Sequence, residues 1–270
     1  MANLAALRDR LELILSIPQG DSFVDSSSEL DDINEAYRKT AYTWDWPQLL
    51  IKRGARVLAN QRKYSLPSVF RKFRSLFVLD QEYEEVEHQS VNVMDGSYAV
   101  DLETSEFIIN SVPGSNGAEY TLTNAESAGQ TVTIELNSVS GLAAGDEIVF
   151  PDDTNPEVTY VASVDSSLNT ITARLKTSKS SGAVMYKGSD NIMYNYYRTI
   201  TALSDAADSP LLPSDVHYAM LYYAAFLAYT RLEQFDRAEK ALAYWKEQTD
   251  DYFRAFDKGS TGAVTQFSIA

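Results

Sequence analysis

The sequence predicts an α+β protein. A helical bundle, made of an N-terminal helix and a C-terminal αα-hairpin, is joined to a β-sheet region that carries an inserted small β-barrel or sandwich. Three observations lead there. Residues 214–256 hold two successive apolar repeats of helical period. Residues 29–44 hold a third, with Leu30, Ile33, Tyr37, Ala41 and Trp44 on one stripe. From about 105 to 190 the chain turns to Ser, Thr, Gly, Val and Asn with apolar and polar residues alternating, the period of strands.

Taken in order, Leu4, Leu7, Leu11, Ile14 and Leu15 predict an amphipathic N-terminal arm that Pro18 and Gly20 stop. Such an arm either lies on the core or contacts another subunit. Ser28 is placed to cap the helix that runs to Trp44 and that Pro47 closes. In Trp44-Asp45-Trp46-Pro47 the two indoles are expected to fill a helix–sheet junction. Strands are expected at 49–53, 56–58, 63–66 and 73–79, with a turn at Ala59-Asn60-Gln61. Five more, at 131–136, 147–150, 158–161, 170–173 and 183–186, recur at roughly ten-residue spacing, which suits a small barrel or sandwich. The flanking segments 106–109 and 192–197 are expected to pair with each other and with the strands before residue 80. The closing helices start at Ser214, after Pro210-Leu211-Leu212-Pro213, and at Asp236, whose spacing to Glu239 is that of a capping box. Ala219, Ala224, Ala225 and Ala228 on one, and Ala238, Ala241 and Ala243 on the other, allow close packing. The domains read as 1–104 with 190–256, an insertion at 105–189, and an extended tail at 257–270.

Composition removes several function classes. The chain of 270 residues has no cysteine, so it has no disulfide, thiolate metal site or cysteine nucleophile. No apolar run approaches a membrane span and the start lacks a signal-peptide core, so a protein made in the cytosol and without a membrane partner is expected. The net charge of −15 argues against nonspecific nucleic-acid binding. Residues 91–190 hold 4 Lys/Arg against 14 Asp/Glu, so most of the acidity lies in the middle. Earlier, Lys52, Arg53, Arg56, Arg62, Lys63, Arg71, Lys72 and Arg74 follow one another without an acid, and Asp80, Glu82, Glu84, Glu85 and Glu87 come next.

No constellation of catalytic residues emerges. His88 and His217 are far apart, so neither a metal site nor a catalytic triad is supported, and each reads as packing or surface. Gly114-Ser115-Asn116-Gly117 lacks the Lys-Ser/Thr of a phosphate loop. The Glu82–Glu87 run reads as a solvated face rather than paired catalytic carboxylates. Asp31-Asp32 and Asp152-Asp153 lack the ligand spacing of a calcium loop. Neither an enzyme, a cofactor nor a metal is expected.

The order of several motifs resembles the head-to-tail adaptor (connector) proteins of tailed bacteriophages. They are Ile33-Asn34-Glu35-Ala36-Tyr37-Arg38 running into Trp44-Asp45-Trp46-Pro47, the corner Tyr64-Ser65-Leu66-Pro67 followed by Phe70-Arg71-Lys72, and the Tyr194–Tyr197 strand. Leu203-Ser204-Asp205 leading to Leu212-Pro213, and a closing helix pair with Ala238-Glu239 and Tyr244-Trp245, complete the series. The likeness covers roughly 28–80 and 190–256. It implies a virion protein of the neck: a ring, typically of about twelve copies, docked under the portal protein, extending the DNA channel and presenting a platform to tail, tail-terminator or nozzle proteins. It also implies that the C-terminal segment reaches the portal, which makes Val264, Phe267 and Ile269 candidate anchors. In such a ring, DNA would slide past an acidic wall without sequence recognition. The charge alternation suits contacts between neighbours, with Lys52, Arg53, Arg56, Arg71, Lys72 and Arg74 on one side and Glu82, Glu84, Glu85 and Glu87 on the other. A carbohydrate- or surface-binding protein using Tyr120, Tyr160 and Tyr186 is the alternative, and a carboxylate hydrolase a further one.

Overall fold

A computed structural model describes residues 2–16, 26–151 and 156–263. The protein is α+β, with four α-helices and two curled β-sheets among the described residues. The chain divides into two compact units, one of residues 1–49 with 199–270 and one of residues 50–198.

The first unit holds α1 (Leu4–Leu15), α2 (Ser26–Thr43), α3 (Val216–Arg231) and α4 (Phe235–Ala263). α3 packs against the other three, and Ala219, Ala224, Ala225 and Ala228 are buried along it, where small side chains let helix axes come close. On α4, Ala238 and Ala241 are buried while Ala243 faces out. α1 is capped by Asn3, whose Oδ1 accepts from Ala6 N at 3.0 Å. It buries Leu4, Leu7, Leu11 and Leu15, each worth about 1.5–3 kcal/mol. The helix ends are set differently from the expectation. α2 begins at Ser26, ahead of Ser28. α4 begins at Phe235, so Asp236 lies in its first turn and cannot cap it with Glu239. The α3–α4 connection turns instead at Glu233, whose φ is +57°, and Gln234 O accepts from Arg237 and Ala238 N–H at 3.1 and 3.0 Å.

Trp44 and Trp46 both engage α4 through Phe253. Trp46 is fully buried and its indole donates to Thr40 O at 2.9 Å, while Trp44 stacks on Phe253 with centroids 4.5 Å apart. Thr40 Oγ1 also accepts from the Trp245 indole at 2.9 Å. Arg231 on α3 pairs bidentately with buried Asp32 on α2. The extended segment 199–215 is pinned to α2: Asn34 exchanges hydrogen bonds with both the N–H and the C=O of Leu203 (2.8 and 3.0 Å), and Leu211 N donates to Tyr37 Oη at 2.8 Å.

The second unit begins with β1 (Leu50–Ala55), β2 (Lys63–Ser65), β3 (Phe70–Val78), β4 (Gln81–Glu85), β5 (Ser97–Asp101) and β6 (Glu106–Ile109). With β13 (Ile192–Arg198) they form a seven-stranded sheet of order β1-β13-β3-β4-β5-β6-β2. Only β4 and β5 run parallel. β6 pairs β5 and β2, and β13 pairs β1 and β3, so the expected direct pairing of 106–109 with 192–197 is replaced. Residues 56–58 form no strand. β4 escapes the alternation rule because Tyr83 is its only buried residue. Phe107 lies at the centre of the aromatic core, stacked on Tyr64 at 5.5 Å and edge-on to Phe73 at 5.4 Å, a geometry worth about 0.5–1.5 kcal/mol per pair beyond area.

β7 (Glu119–Thr121), β8 (Gly129–Glu135), β9 (Glu147–Phe150), β10 (Glu157–Asp165), β11 (Thr170–Leu175) and β12 (Val184–Lys187) make the second sheet, of order β7-β12-β9-β10-β11-β8. It curls until its edges meet: Leu122 bridges Leu136, and Thr123 N donates to Glu135 O at 3.0 Å. Inside lie Tyr120, Ile134, Ile148, Phe150, Val161, Ile171 and Met185.

The two sheets are joined through Asn191, which is 1% exposed. Its Oδ1 accepts from Val57 N at 3.0 Å, and its Nδ2 donates to Ala118 O and Lys187 O, both at 2.9 Å. Its main-chain O accepts from Leu79 N at 3.0 Å, holding the two-residue turn at Leu79-Asp80, where both φ are positive. Gly117 has to be glycine here, since a Cβ would sit 1.9 Å from Asn191 Oδ1 and 2.4 Å from Asp190 O. Gly54, on β1, likewise lies 3.1–3.2 Å, at the Cβ position, from Ile192 O, Met193 Sδ and Val149 Cγ1.

A second buried polar group anchors β10. Glu157 pairs with Lys179 at 3.0 Å, both side chains almost fully buried, and accepts from Lys176 N, Thr177 N and Thr177 Oγ1. Lys179 also sits 4.9 Å over the Phe150 ring. Burial alone would raise the Glu157 carboxyl, but the Lys176 N–H, the Lys179 ammonium and the Thr177 hydroxyl hold it below the ordinary range.

Two outcomes follow from these junctions. Asn191→Leu leaves Val57 N, Ala118 O and Lys187 O without their partner, and chemical denaturation should show a loss of about 3 kcal/mol or more; an unchanged midpoint would contradict the role given to this residue. Glu157→Ala strands the buried Lys179 ammonium and should cost about 3–5 kcal/mol at neutral pH. Because the folded-state carboxyl is depressed, its contribution is present above the ordinary carboxylate range and is lost as pH falls through the folded value. Denaturation curves of wild type and variant should therefore converge in acid.

Candidate functional site

The surfaces that carry charge are the candidates, because the sequence singles out charge alternation rather than a catalytic cluster. β1 alternates its side chains across a sheet edge, and the glycine at 54 lets it approach β9 closely. Lys52 consequently pairs with Glu147, Arg56 pairs with Glu119 at 3.1 Å and donates to Gly117 O, and Arg53 donates to Pro151 O at 3.2 Å. Three of the six cations expected at contacts between subunits are thus engaged inside one unit, as ties between the two sheets.

β3 distributes its cations otherwise. Lys72 lies 5.4 Å over the Tyr197 ring, and Arg71 is half-buried. The register of β3 against β13 slips between Phe73 and Ser75, which puts the exposed Arg74 at a bulge. On β4, Tyr83 faces inward and donates to Ser111 Oγ at 2.7 Å, and Glu85, on the same side, accepts from Tyr98 Oη at 3.4 Å. Burial, with the Glu85 charge beside it, raises the Tyr98 phenol. Glu82 and Glu84 therefore point to the opposite face and are exposed, as is Glu87.

One grouping was not legible in the sequence. A groove of about 520 Å³ is lined by Lys52, Glu147, Glu157, Tyr160, Lys176 and Arg198, among others. Lys52 and Glu157 are neutralised by Glu147 and Lys179, whereas Lys176 is exposed and Arg198 has a buried Nε without an acceptor. The available signal was the scarcity of cations between 91 and 190: of Arg174, Lys176, Lys179 and Lys187, the last two are tied to Glu157 and Asp146, leaving the others to face out.

The remaining candidates are dispersed. Tyr120 is buried in the small barrel and donates to Ser140 O at 2.8 Å, while Tyr160 is 60% exposed on another strand, so Tyr120, Tyr160 and Tyr186 do not share a binding face. His217 is fully buried with Nε2 2.8 Å from Leu212 O, and His88 is exposed. Among the described residues no acidic or histidine cluster is arranged to hold a metal, and no helix is long and apolar enough to cross a membrane. Val264, Phe267 and Ile269 lie outside the described residues, as do Pro18, Gly20 and Asp152-Asp153.

Four of the motifs that suggested a phage adaptor meet in space within the helical unit: Asn34 with Leu203, Tyr37 with Leu211, Trp44 and Trp46 with the helix that holds Trp245, while the 64–72 and 194–197 motifs lie in the β unit. No curated protein matches the chain. A family model described as SU10 adaptor protein matches residues 2–266, and so takes in both compact units. The chain belongs to the SU10 adaptor protein family of phage structural adaptors.

Proposed function

We propose that copies of this chain form a ring, of about twelve, between the portal and the tail of a tailed phage. The ring extends the channel through which DNA leaves and offers the platform on which tail or nozzle proteins dock. The observation that supports this most strongly is the family match across nearly the whole chain, which implies a virion protein that assembles with others. In this reading the helices act as a bundle closed by the α3–α4 hairpin. Residues 1–104 with 190–256 serve as the adaptor core, 105–189 as an inserted module, and 257–270 as a tail whose Val264, Phe267 and Ile269 grip the portal. The net charge of −15 accords with a wall past which DNA slides, because a surface of like charge gains nothing from counterion release.

The charge contacts between neighbours are revised by the ion pairs within the chain. Lys52, Arg53 and Arg56 are already engaged, and Arg71 and Lys72 also have partners within the chain, so the exposed groups we assign to a neighbour are Arg74 together with Glu82, Glu84 and Glu87.

Native mass spectrometry of the purified chain, alone and mixed with portal rings, tests the reading. A defined multi-subunit ring bound to the portal is the expected result; a monomer that ignores the portal would overturn it. Truncation after Ala263 should leave the thermal midpoint unchanged yet weaken portal binding at least about tenfold, or 1.4 kcal/mol. Unchanged affinity would remove the tail from the account.

A further inference from the structure

We infer that the groove holding Lys176 and Arg198 is a docking site for the acidic strand β4 of a second copy of this chain. The inference rests on the ring reading and names one of its contacts.

The receiving side is built from two sheets. Arg198 ends β13, Lys176 follows β11, and the exposed ring of Tyr160 stands beside them at the same groove. The carboxylates in its wall are already satisfied, Glu157 by Lys179 and Glu147 by Lys52. Among the described residues the groove therefore keeps a surplus of two positive charges, in a protein whose net charge is −15. Among the described residues Arg198 Nε is buried and has no acceptor, and a buried donor without an acceptor is destabilising until one arrives.

The entering side is β4. Tyr83 and Glu85 are turned to their own sheet, which leaves Glu82 and Glu84 projecting together from the other face. Two residues apart on a strand, they are about 7 Å from each other, a spacing that lets one carboxylate meet each cation. Neither forms an ion pair within the chain among the described residues. Groove and strand are different surfaces, so the contact is head-to-tail, the kind that closes a ring. A carboxylate partner is favoured over DNA because tracking a phosphate backbone takes a row of cations, and this groove has two between Glu147 and Glu157.

The lack of any cysteine permits a clean test. A variant with both Glu84→Cys and Lys176→Cys is assembled on portal rings and treated with a bis-maleimide of about 8 Å span, since an ion pair of long side chains holds its Cα atoms too far apart for a disulfide. The expected result is a covalent ladder at integer multiples of the chain mass, absent with either single change. Rings by native mass spectrometry that yield only monomers after the reagent would overturn this contact and leave the ring reading intact; a wild-type chain that makes no ring would overturn both. A second measurement reads the charges alone. Lys176→Glu with Arg198→Glu should lower ring yield at least tenfold, and adding Glu82→Lys with Glu84→Lys should restore it. Failure of that restoration, or loss of DNA retention in place of ring yield, would equally overturn the proposal.

Discussion

Asn191 is the constraint on which the β unit depends. A side-chain amide has an accepting oxygen and two N–H donors, and here the oxygen and both donors engage main-chain groups from different parts of the unit: Val57 N, Ala118 O and Lys187 O. Those partners belong to the segment after β1, the entry to β7 and the end of β12. The amide therefore fixes where the chain leaves the seven-stranded sheet for the small barrel and where it returns. Gly117 and Gly54 follow from the same closeness, since a Cβ has no room at Gly117 and a tight fit of 3.1–3.2 Å at Gly54. A buried polar junction of this kind is specific because every alternative leaves donors or acceptors unpaired.

Once the sheets are held in this way, the fate of the basic residues is decided. β1 lies against β9, so Lys52 and Arg56 meet acids on the second sheet. β3 lies deeper in the sheet, and its bulge turns Arg74 outward. β4 is short and carries one inward residue, which leaves an acidic face exposed. The surfaces open to assembly are thus what remains after the unit has neutralised its own interior, and the groove with Lys176 and Arg198 is the basic remainder.

The α+β class and the stripes of the four helices were legible because each rests on a period that local sequence repeats several times. The small barrel was legible in five of its six strands; β7, three residues long, offers too little alternation to be seen. β4 was hidden by its charge, since Gln81-Glu82-Tyr83-Glu84-Glu85 reads as solvent face with a single aromatic. Helix starts moved from 29 to Ser26, from Ser214 to Val216 and from Asp236 to Phe235, the last because the left-handed Glu233 sets the turn into α4. The pairing of some candidate charges inside the unit was hidden for a plainer reason. Whether Lys52 faces a neighbour or Glu147, nearly a hundred residues on, depends on long-range pairing that charge patterning does not encode. The family, in contrast, was readable from motif order, and Asn34–Leu203 and Tyr37–Leu211 show why: those short stretches are partners across one fold.

The central claim is positional: both units of this chain sit in a ring between portal and tail. Electron cryomicroscopy of the intact particle tests it most directly. The account predicts a ring of density at the neck into which the four-helix unit and the two-sheet unit both fit, with neighbouring copies in head-to-tail contact. Density for this chain elsewhere on the particle, or a neck built without it, would contradict the account.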